Sequence, residues 1–132
     1  MDFDAIKGEI VSLKSLIRDK KIKILAYRNE IIGAGIDKIK IEEDFITVKK
    51  NMDYMKSTDI VSINEFKTTN DKYLLEKWHL KEINEFIAVR NNQVLQTEKE
   101  ISIIEDKIQQ LETMLHVDNN NIIEFVSKNE SN

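Results

Sequence analysis

"GAGIDKIKIEEDFITVKK", residues 33 to 50, decides how this chain of 132 residues folds. Gly33 and Gly35 predict the end of a helix, because glycine accepts the left-handed conformation of a helix C-cap. After them, apolar and polar residues alternate around the acidic run Glu42, Glu43, Asp44, as in a β-hairpin. Ile41, Phe45, Val48, Met52 and Met55 keep heptad spacing as well, which is the mark of a helix. Residues 36–60 are therefore expected as either a short helix or a β-hairpin.

Working toward the N-terminus, Phe3, Ile6, Ile10, Leu13, Ile17, Ile24, Tyr27 and Ile31 follow alternating steps of three and four, with Lys20 at the position that breaks the set. Such an a/d stripe predicts one amphipathic helix over 3–32, about 45 Å long at the α-helical rise. Proline, which would remove a donor and clash with the preceding turn, is absent from the whole chain.

Toward the C-terminus the same rhythm returns in Tyr73, Leu80, Ile83, Ile87, Val94, Ile101, Ile104, Ile108, Leu111 and Leu115, with Glu76, Arg90 and Thr97 at core positions. Polar groups at a/d positions cost stability and commonly set register or oligomeric state. Asn70 or Asp71 can cap a start near 71. Ser62 with Glu65 three residues on forms a capping-box pattern that moves the start to Ile63. "VDNNN", after His116, predicts the stop.

The expected fold is all-α: an elongated helical hairpin or coiled coil with two long heptad-patterned helices, about 3–32 and from 63 or 71 to 116. Residues 1–117 form a single helical domain and 118–132 a polar tail. The second helix then outruns the first by roughly 15 to 20 residues. A stripe with nothing to cover it implies association, so Ile10, Leu13, Ile17, Ile24, Ile101, Ile104, Ile108, Leu111 and Leu115 are expected to form an oligomerisation stripe. In the tail, Ile122, Ile123, Phe125 and Val126 are four large apolar side chains beyond the heptads. They either fold back onto the chain or, behind the Asn119–Asn121 link, dock on a partner protein.

Composition narrows function by exclusion. The net charge is −4 and the pI about 5.3, which speaks against the phosphate backbone as the main partner. The basic run Arg18–Lys23, with Lys38, Lys40, Lys49 and Lys50, is interleaved with Asp19 and is read as a solvated helix face. No cysteine is present, which removes thiolate catalysis and Cys-based zinc sites. No apolar run reaches the ~18 residues of a membrane span, and the acidic start "MDFDAIKGEI" has no signal-peptide pattern. A cytoplasmic protein is expected.

Glu76 and His79 stand three apart on one helical face, the local element of di-iron carboxylate bundles, but no second pair exists. His79 reads as a partly exposed surface histidine beside a packed Trp78. No nucleophile elbow and no phosphate loop is present either. Neither cofactor, metal nor small-molecule substrate is expected, and no enzymatic activity. Lysine outnumbers arginine 17 to 3, and Ile, Lys and Asn supply 50 residues, a bias that follows from AT-rich codons and points to a phage, another virus or an AT-rich bacterium. The reading is a structural or assembly protein that self-associates or docks on a larger assembly. A small helical adaptor or inhibitor of one protein is the alternative.

Overall fold

Asp2 starts the first helix. Its carboxylate accepts hydrogen bonds from the backbone N–H groups of Asp4 and Ala5, at 3.0 and 3.2 Å, and so satisfies donors that the first turn leaves without partners. The computed structural model describes residues 2–58 and 62–130, with side-chain surroundings as far as His116. In it this helix, α1, spans Phe3–Ser57.

The helix does not end at Gly33–Gly35. Neither glycine takes a positive φ, and Ala34 between them is 8% exposed, a core position in step with Ile31 before it and Ile41 after it. Carrying the stripe onward outweighs the helix cost of each glycine, about 1 kcal/mol relative to alanine. The expected boundary at 32 is thus corrected to Ser57, and within 36–60 the β-hairpin alternative gives way to helix as far as Ser57. No strand occurs among the described residues.

At the end of α1 the Ser57 hydroxyl donates to the Tyr54 carbonyl at 2.8 Å and the Thr58 N–H to the Met55 carbonyl at 3.4 Å. The second helix, α2, spans Ile63–Glu130. Ser62 caps it, accepting from the Glu65 N–H at 3.1 Å, so the earlier of the two expected starts is the one the chain uses. The bounds of α2 take in "VDNNN", where the sequence predicts a stop. Side chains from residue 117 onward, Ile122, Ile123, Phe125 and Val126 among them, lie outside the described residues, and so does the choice between fold-back and docking.

The two helices pack against each other, and the chain divides into two compact units. In unit 1, residues 1–25 and 95–132, the core is Ile6, Ile10, Ile17 and Ile24 of α1 with Thr97, Ile101, Ile108 and Leu111 of α2. Ion pairs link Glu9 with Lys107, Lys14 with Glu112 and Lys20 with Glu100. The last two show the antiparallel sense: as numbers rise along α1 they fall along α2.

Unit 2 is residues 26–94, where Ala34, Val48, Met52 and Val94 are buried. Phe45 stacks on Tyr73 with ring centroids 5.1 Å apart. Arg90 occupies a core heptad position. Its guanidinium lies over Tyr27 at 5.5 Å and Phe86 at 5.0 Å, and donates to Gln93 Oε1 at 2.7 Å. Arg90 Nε forms an ion pair with Glu30. Because unit 2 gives the first half of α2 a partner in α1, the expected surplus of α2 loses its premise.

Candidate interaction surfaces

The nine residues expected as an oligomerisation stripe, Ile10 through Leu115, all lie in unit 1 and are buried or half-buried within a single chain. The a/d rhythm that marks them is satisfied by the pairing of α1 with α2.

Polar groups on the same stripe are handled by reaching out of it. Lys20, at a core position, donates to Glu100 Oε2 at 2.8 Å. That hydrogen bond and the lysine charge hold the Glu100 carboxyl below the usual carboxylate range, with burial opposing and Gln96 and Lys23 assisting. A carboxyl whose folded pKa is depressed contributes stability that is present above its unfolded pKa and lost as pH falls through the folded value. Lys20→Met is therefore expected to flatten the acid side of the stability profile. Melting temperatures followed from neutral pH down to about pH 3 check this: an unchanged slope in the variant would remove Lys20 as the cause.

The remaining lysines of the basic run do not converge. Lys20 turns to Glu100 and Lys38 sits 3.8 Å from Glu42 one turn on, while Arg18, Lys21, Lys23, Lys40, Lys49 and Lys50 are exposed.

In unit 2 an open groove of about 570 Å³ lies between the helices, with Asp37, Lys40 and Asp44 on the α1 side and Glu76, His79 and Glu82 on the α2 side. His79 Nδ1 is 3.9 Å from Glu76 Oε2. Among the described residues no three His, Cys, Asp or Glu side chains come together as metal ligands would. Trp78 is not packed as expected: it is 52% exposed and tilts against His79 at 5.4 Å. Two residues past the core position of Glu76, it points off the stripe. With the exposed Leu74 and Leu75 it makes a small apolar patch on α2.

No family model, curated protein or solved structure matches the chain.

What distinguishes the surface is its apolar content. Among the described residues, exposed large apolar side chains outnumber the buried apolar ones. Single exposed apolar residues are ordinary, but a contiguous row is not. In unit 2, Ile32, Ile36, Ile39 and Ile46 of α1 are 61, 64, 59 and 51% exposed. Ile32, Ile36 and Ile39 recur in steps of four and three, the rhythm of the core stripe displaced by one or two residues, and Ile46 follows beyond Glu43, which takes the next place in the row. At about 100° per residue this sets them roughly 150° around the helix from the core. Among the described residues no helix is long and apolar enough to cross a membrane.

Proposed function

We propose that the protein is a non-enzymatic assembly protein that works by presenting helix faces to other protein chains, through self-association or by docking on a larger structure. The observation that carries this reading is the second apolar row on α1, Ile32, Ile36, Ile39 and Ile46, which the chain's own pairing leaves in solvent. Burying it releases apolar surface from water, the main favourable term in protein association. A phage or viral assembly component, acting in the host cytoplasm or in the virion, is compatible with the codon-driven bias toward Ile, Lys and Asn, as is a protein of an AT-rich bacterium. Sedimentation of the full chain alone is expected to show a defined oligomer. A concentration-independent monomer would overturn self-assembly.

The alternative, an adaptor or inhibitor bound to one unlike protein, is favoured by Trp78, since exposed tryptophans with apolar neighbours are typical anchors of such contacts. On that reading the chain stays small until its target is added.

A further inference from the structure

We infer that a second copy of this chain packs antiparallel along the outer face of α1 in unit 2, about a two-fold axis at Gly33 and Gly35. The inference rests on the assembly reading above and names its partner and its face.

The apolar row supplies the contact: Ile32 and Ile36 straddle the two glycines, with Ile39 and Ile46 further along. The flanks supply the orientation. Arg28, Gly35 and Glu42 lie on one flank at intervals of one heptad, so Arg28 and Glu42 are equidistant from Gly35 and opposite in charge. An antiparallel copy related by a two-fold axis there sets Arg28 against Glu42 of the second copy and Glu42 against its Arg28. Each pair occurs twice, as an isologous interface requires. A parallel copy instead faces one flank with the other about five residues on. It opposes Arg28 to Gly33 and Glu42 to Thr47, and no ion pair forms.

The charges are available for this. Glu42 is 3.8 Å from Lys38 in its own helix, a half-exposed pair worth little. Arg28 also interacts within its chain, but a guanidinium carries five donors and can serve both.

The glycines point the same way. A Cβ at Gly33 or Gly35 would meet nothing within 4 Å, and neither has a positive φ. Neither packing within the chain nor backbone conformation requires glycine at either place, although each weakens the helix. Gly33 lies on the flank opposite Gly35, so a dyad between them brings both against a second backbone, where a missing side chain permits close approach.

Sedimentation equilibrium of the full chain, from micromolar to millimolar concentration, tests the proposal. Arg28→Glu and Glu42→Arg are each expected to weaken dimerisation about tenfold or more, because each places like charges together twice. The double swap is expected to restore it to within a few-fold of the unsubstituted chain, a rescue that an unlike partner cannot give. Ile36→Lys, at an exposed position, is expected to abolish the dimer with helical circular dichroism unchanged. Single swaps without effect, or a double swap no better than either single one, overturn the α1 dyad. An oligomer that survives Ile36→Lys does the same and leaves the assembly reading standing on another face. A monomer at every concentration overturns the dyad and self-assembly together, and leaves only docking on an unlike structure.

Discussion

Replacing Gly33 and Gly35 together by alanine is expected to stabilise the folded chain by about 1–2 kcal/mol, whereas Gly35→Pro is expected to destabilise it by about 3 kcal/mol or more. The signs follow from where the glycines sit. Both lie in the interior of α1 with helical backbone and open space where a Cβ would go, so alanine removes the entropy cost without meeting a neighbour. Proline at 35 removes a backbone donor and clashes with the preceding turn. Were the two glycines the C-cap that their spacing suggests, alanine would be forced into a left-handed conformation and would destabilise. Chemical denaturation of the three chains at low protein concentration, where any association is minimal, reads the sign directly. A loss of stability in the double alanine variant would break α1 in two.

This is also where the sequence misleads. The heptad count can be carried through the glycines: Ile31, Ala34, Lys38, Ile41, Phe45, Val48, Met52 and Met55 keep steps of three and four to the end of α1. Alanine and lysine are weak apolar signals, and two glycines in three residues are a strong punctuation signal, so a local rule overrides a longer periodic one. The hairpin-like alternation in "IDKIKIEEDFITV" has a similar origin. Ile41, Phe45 and Val48 belong to the core stripe, whereas Ile36, Ile39 and Ile46 belong to the outer row. Two helical rows interleaved in one segment imitate the two-residue period of a strand.

Elsewhere the core was legible because its polar interruptions, Lys20, Glu76, Arg90 and Thr97, are single residues that leave the a/d count intact. The buried residues Ile6, Ile10, Ile17, Ile24, Val94, Ile101, Ile108 and Leu111 all fall on the a/d positions counted from the sequence, and the Ser62 cap was marked by Glu65. The outer row was not legible. Its members are told from core residues only by a displacement of one or two positions, and that becomes visible once the register is fixed. Glu76, Arg90 and Thr97 were placed at core positions by counting, but the means of accommodating Arg90, over Tyr27 and Phe86 and against Glu30, depends on contacts distant in sequence.

Ile101→Asp is expected to destabilise unit 1 by more than about 4 kcal/mol, and Ile101→Ala by about 2–4 kcal/mol. Ile101 is 7% exposed, and alanine there leaves a void along a contact only two helices deep, where neighbours can settle inward. Aspartate loses the same packing and adds a buried charge. The position itself does not forbid charge, since Lys20 stands on the stripe in the same unit. But Lys20 has a long apolar stem and Glu100 at 2.8 Å for its ammonium, so the charge leaves the core while the methylenes stay in it. Aspartate is too short to reach out, and Lys20 is already held by Glu100. Lowering the pH should relieve part of the aspartate penalty by neutralising it, but none of the alanine penalty. Denaturant melts of both variants at neutral pH and near pH 4 separate the two contributions. Equal losses for aspartate and alanine at neutral pH would mean that Ile101 faces water rather than the core.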